Sequence, residues 1–248
     1  GLVLSRPMET LSIRWPPQQC ILHHIRRRWR LHVDFVVHGT HHLPDIAGEA
    51  HTMTIIAWVV VGSVLVTSAG LLVSRDWRLE LGLLGLQYVG VFWLTDQHWP
   101  VSMAAIKLVT GWMAIATLGI TTLNLKDAAN ADEEFWPQGR LFRLFAAGIV
   151  TVIVVTAAPR VETIIPGIGL PVISGGLILM GLGLLLLAMT AQPFRVILGL
   201  LTVLSGFEAV YAALESSILV AAMLSVVNLG VALVGAYLLS VPKSEQSA

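Results

Sequence analysis

Seven apolar runs follow one another from Ile55 to Val241, and each is long enough to cross about 30 Å of hydrocarbon as a helix. They are Ile55–Val73, Leu79–Thr95, Val101–Leu123, Leu141–Ala158, Gly169–Thr190, Phe194–Leu214 and Ile218–Val241. Such runs constrain the fold more than any motif. In lipid the backbone must satisfy its own polar groups, and helices do so within each segment. Between the runs lie "SRDWR", "DQHWP", "NLKDAANADEEFWPQGR", "PRVETIIPGI", "AQP" and "ESS", where proline, asparagine and charged residues supply the breaks. Composition agrees: 56% hydrophobic and 12% charged residues leave too little polar surface for a water-soluble globule. The reading is an all-α polytopic membrane protein with seven transmembrane helices and a bilayer around it.

Several classes are excluded early. A formal net charge of zero gives no basic face to displace counterions from nucleic acid. The single cysteine, Cys20, excludes an intrachain disulfide and any cluster or zinc site built from several thiolates of this chain. Seven of eight histidines precede residue 53, and the eighth, His98, falls between runs, which argues against haem or chlorophyll held by histidines inside the bundle. No cofactor and no metal is expected. No paired nucleophile and base marks a hydrolase.

Residues 1–52 differ from the rest, with six arginines, seven histidines and Pro16-Pro17 but no sustained period. They read as a basic, His-rich tail, disordered or non-native, ahead of a seven-helix domain over 53–248. Their histidines are too irregularly scattered for a closed ligand geometry. No apolar stretch and small-residue site follow the arginines as a secretory signal requires.

Alternation of the seven runs puts Arg75, Arg78, Lys126, Arg140, Arg143, Arg195 and Lys243 on one side and Arg160 on the other. The positive-inside rule makes the first side cytoplasmic, with Met53 outside and the C-terminus inside a cell inner membrane. Trp77, Trp93, Trp99 and Trp136 at the ends of runs fit an interfacial aromatic belt. Glu80, Asp96 and Glu215 near the ends read as solvated.

An internal repeat is visible. "RLELGLLGL" from Arg78 resembles "RVILGLLTV" from Arg195, an offset of 195 − 78 = 117. At that offset Leu81, Gly82, Leu83 and Leu84 match Leu198, Gly199, Leu200 and Leu201, and Ala104-Ala105 match Ala221-Ala222. This gives two parallel three-helix repeats with Leu141–Ala158 as the linking helix. The parallel sense disfavours the inverted repeats of many alternating-access carriers.

Two charges lie inside the runs. Lys107, in "MAAIKLVTGWMA", stands about seven residues from the outer end of the third run and Glu208 about six from the outer end of the sixth, so both are roughly 10 Å deep. Each aligns with an apolar residue of the other repeat, Leu224 and Val91. A lone charge at a helix centre costs roughly 2.5–3.5 kcal/mol on insertion scales. Pairing the two accounts for both, either as a fixed lock between repeats or as a proton-relay element. Gln87 and Asn228 read as amides bridging helices, and the glycines of "SGGLILMGLGLLLL" as close-packing positions.

The stretch "WRLELGLLGLQ" (Trp77–Gln87), Lys107, and "AQPFRVILGLL" followed by "GFEAVY" together resemble the seven-helix E component of hydrogenase 4 and formate hydrogenlyase membrane arms. That family is related through its last three helices to the K-type subunit of complex I and the C-type subunit of multisubunit (Mrp) cation/proton antiporters. The resemblance covers about residues 55–241. It implies a non-catalytic integral membrane subunit of a complex I-like or hydrogenase-like energy-converting assembly, lining a proton or cation path. As an enzyme it would be at most a subunit of a proton-translocating oxidoreductase, without a redox centre of its own, partnered by other membrane subunits. The family's acidic residue and Asn-Gly after the glycine matched by Gly199 are here Leu204, Ser205 and Gly206, and its last-helix acid is replaced near Val226, so only Lys107 and Glu208 carry over. The alternatives are a purely structural transmembrane subunit of another respiratory or photosynthetic complex, and a free-standing solute carrier. The carrier would need more convergent polar groups at the midplane.

Overall fold

The computed structural model describes residues 43–97, 101–124, 139–165, 167–214 and 217–241. Among them the chain forms seven α-helices: α1 Leu43–Val73, α2 Trp77–Asp96, α3 Val101–Asn124, α4 Arg140–Ile164, α5 Leu170–Met189, α6 Pro193–Leu214 and α7 Ile218–Ser240. The described residues from Met53 onward form one compact unit. The reading of the basic tail lies largely outside the described residues; residues 43–52, counted there as tail, belong to α1. Hydropathy marks only the part of a helix that lipid covers, and the helix continues beyond it.

Six of the seven helices are long and apolar enough to cross a membrane, which makes this a multi-pass membrane protein: Thr52–Val73, α3, α4, α5, α6 and α7. The exception is α2, read from the sequence as a span like the others. Arg78, Glu80 and Gln87 lower its mean hydropathy, yet Glu80, Gln87, Tyr88 and Thr95 are all buried. Those four face the bundle, while Arg78 is exposed.

At the other boundaries the structure extends the sequence reading. Helix α4 runs through Pro159 to Ile164, six residues beyond the Ala158 at which the pattern suggested a stop. A proline inside a helix removes one backbone hydrogen bond, and membrane helices carry that loss where their surroundings re-satisfy the freed carbonyl. Gly167 (φ 105°) and Gly169 (φ 80°) then turn the chain in a left-handed conformation that glycine adopts freely, and Pro171 opens α5.

Helix α5 packs on α6 and α4, α3 on α2 and α7, and α6 on α7 and α2. The α5–α6 contact is close enough that a Cβ at Gly206 would stand 2.7 Å from the Gly176 carbonyl oxygen, so these backbones touch where side chains would otherwise hold them apart. Most buried hydroxyls inside the helices are satisfied at short range, Ser68 Oγ of α1 being an exception among the described residues. Thr95, Thr110, Thr122, Ser174, Thr202 and Ser225 each donate to the carbonyl one turn back. The groups that cannot be satisfied locally, carboxylates, a lysine, two arginines and amides, are the ones that reach between helices.

Candidate functional site

Helices α3 and α6 bring Lys107 and Glu208 together. Lys107 Nζ lies 2.7 Å from Glu208 Oε1, with the side chains 4% and 2% exposed. The ammonium meets the carboxylate as a buried ion pair, with no second described acceptor in reach. The same carboxylate oxygen accepts a hydrogen bond of 3.0 Å from Asn228 Nδ2 on α7. The Tyr88 hydroxyl on α2 donates to Asn228 Oδ1 over a longer 3.4 Å. Four helices thus converge on one carboxylate.

The local sequence explains why Tyr88 reaches this point. A Cβ at position 111 would stand 2.5 Å from the Tyr88 ring, so Gly111, one turn along α3 from Lys107, opens the space the ring occupies. Neither Tyr88 nor Gly111 stood out in the sequence, although Tyr88 lies on the buried stripe of α2 with Leu84, Gln87, Val91 and Thr95. That helical spacing was the available signal. Gln87, on the same stripe, donates from Nε2 to Ser205 Oγ at 3.4 Å and so links α2 to α6 three residues from Glu208. Its Oε1 is buried and has no partner among the described residues.

A second ion pair corrects the sequence reading of Glu80. Instead of facing solvent it is 2% exposed, and its Oε1 accepts from Arg195 Nη2 at 2.8 Å and Nε at 3.0 Å. Arg195 also donates to the Ser74 carbonyl, and Arg143 Nη1 donates to the Leu72 carbonyl at 3.3 Å. The final carbonyls of a helix have no partner within it and carry partial negative charge. Two arginines from α4 and α6 therefore close the C-terminal end of α1. The reason Glu80 is buried is its place one turn below Leu84, on the face of α2 that points inward.

Asp96 is half-buried, while Glu215, His98, Trp99 and Trp136 lie outside the described residues. Among the described residues no group of three or more His, Cys, Asp or Glu side chains could hold a metal ion. No protein-family model, curated protein or solved structure matches the chain.

Proposed function

We propose that the chain is a non-catalytic integral membrane subunit of a complex I-like or hydrogenase-like energy-converting assembly, and that Lys107 and Glu208 form a relay on its proton path. The observation that carries this is the 2.7 Å ion pair buried among four helices and wired to Asn228 and Tyr88. Transfer of one proton from Nζ to the carboxylate converts an ammonium and a carboxylate into an amine and a carboxylic acid. The net charge of the pair is zero before and after. Within the pair that transfer leaves no net charge in hydrocarbon, where one would be costly; uptake of a further proton from the path leaves the pair at +1 until a proton is passed on, so uptake and release must be coupled. The resemblance to the hydrogenase component E family supports the same reading.

In this proposal all seven helices cross an inner membrane, with Met53 outside and the C-terminus inside, and helices α1–α3 and α5–α7 are two parallel repeats linked by α4. Supporting the repeats, the contacts of α2 with α3 and of α6 with α7 are equivalent pairings, while α2–α6 and α3–α7 each join equivalent helices.

Replacing both Lys107 and Glu208 by apolar residues of similar volume tests the relay. The expected result is an assembled, stable chain whose membrane loses proton coupling. Preserved coupling in that stable double mutant leaves only a structural lock. Purification of the native chain in mild detergent should bring down a large antiporter-like subunit; pigment-binding chains or a lone homo-oligomer would contradict the proposed assembly.

A further inference from the structure

The relay reading leaves open from which end the ion pair is reached, and the packing around it is unequal. Four residues from Lys107, one helical turn toward the start of α3, is Met103; four residues from Glu208, one turn toward the end of α6, is Ala212. These two pack with Ala221 of α7 into a small cluster of their own, separate from the main core. Beyond them Val101, Ser102 and Leu214 are exposed. From either charge to that end of its helix is six residues, roughly 9 Å at 1.5 Å per residue. Beneath the cluster, Ser225 stands four residues along α7 from Ala221 and three before Asn228, so a hydroxyl lies between this cover and the network.

Toward the opposite end the pair is walled off. Leu84, Ala114, Leu118, Leu198, Leu201 and Ala232, from α2, α3, α6 and α7, are all 0% exposed and belong to the main core cluster. Past this layer the Glu80–Arg195 pair is held to Ser74 of the loop after α1. Four leucines and two alanines closed to solvent make this layer, beyond the buried polar groups of Gln87, Thr202 and Ser205, and a layer at native packing density has little room for water. The thin cover at the other end has two alanines and one methionine, an unbranched chain with three rotatable bonds that can swing aside.

We infer that the ion pair exchanges protons, carried by water, with the Val101/Leu214 end of the bundle alone, through a cover of Met103, Ala212 and Ala221. The chain then holds half of a path, and the continuation to the other end is contributed by a neighbouring subunit. The purpose assigned to this access rests on the relay reading; the access itself is a property of packing and can be tested apart from it.

The test uses the full chain with Cys20→Ser as background and a single Ser225→Cys reporter, nearly isosteric, beneath the cover. Ser102→Cys, exposed above it, marks the membrane face to which this end belongs. A small membrane-impermeant methanethiosulfonate is applied to sealed vesicles of each orientation. Ser225→Cys should react only from the face at which Ser102→Cys reacts, and adding Met103→Ala should speed the reaction about tenfold, the factor given by lowering the opening free energy by about 1.4 kcal/mol. Reaction from the opposite face, or from neither, overturns one-ended access. An unchanged rate with Met103→Ala overturns the cover. Thermal midpoints of the variants in detergent verify that each is folded, and the Lys107/Glu208 double mutant decides the relay separately.

Discussion

At the residue scale, one carboxylate is shared by a lysine and an amide, and the consequences for mutation are unequal. Lys107→Ala leaves Glu208 buried with a single amide donor, and removing one partner of a buried pair typically costs roughly 3–5 kcal/mol. A lower thermal midpoint in detergent should report it. Replacing both partners by apolar residues should recover much of that loss, because no charge is then left unpaired. Gly111→Ala should be destabilising by roughly 1–3 kcal/mol, the usual range for overpacking, since its Cβ would stand 2.5 Å from the Tyr88 ring. The pair itself was legible because two charges of opposite sign stood at equal depth in otherwise apolar runs. Tyr88 was not, because tyrosine is common near membrane interfaces and only the stripe on α2 distinguishes a buried one. Gly111 was hidden for a simpler reason: what it accommodates belongs to another helix.

Elements add a different kind of information. Helix α2 is the one of the seven described helices that falls short of a membrane span in length and hydropathy together, and a mean over its length hides that Glu80, Gln87, Tyr88 and Thr95 lie on one buried face. The sequence therefore revealed that a helix is there and missed how Glu80 is used. Glu80→Leu should destabilise by roughly 3–5 kcal/mol, as Lys107→Ala does, because it strands a buried guanidinium. The double mutant Glu80→Leu/Arg195→Leu should recover less than the Lys107/Glu208 double mutant. Arg195 also donates to the Ser74 carbonyl, and that bond is lost with it. Equal recovery in the two doubles, measured by thermal unfolding in the same detergent, would show that the tether to α1 contributes nothing. Contact between α5 and α6 offers a parallel comparison. Gly206→Ala forces a Cβ against the Gly176 carbonyl, whereas a Cβ at Gly62 meets nothing within 4 Å. The first should lower the thermal midpoint and the second leave it within error.

For the whole molecule, the question is which way the bundle sits in the bilayer. With all seven helices crossing, as proposed, the turns after α1, α3 and α5 share one side. The structure changes the weight of the charges found there. Arg143 and Arg195 are buried and occupied with carbonyls at the end of α1, so they do not act as free loop charges. What remains is Arg75, Arg78, Lys126, Arg140 and Lys243 on one side against Arg160, which is exposed, on the other. The asymmetry survives the subtraction, and by the positive-inside rule it supports the proposed orientation with the first side cytoplasmic. Single cysteines introduced after Asp127 and beside Arg160 in a chain carrying Cys20→Ser should therefore label from opposite faces of the cell membrane. The first should be shielded in intact cells and the second reactive. Reversed labelling would overturn the orientation while leaving both ion pairs intact, because each is fixed by packing between helices and would hold in a bundle facing either way.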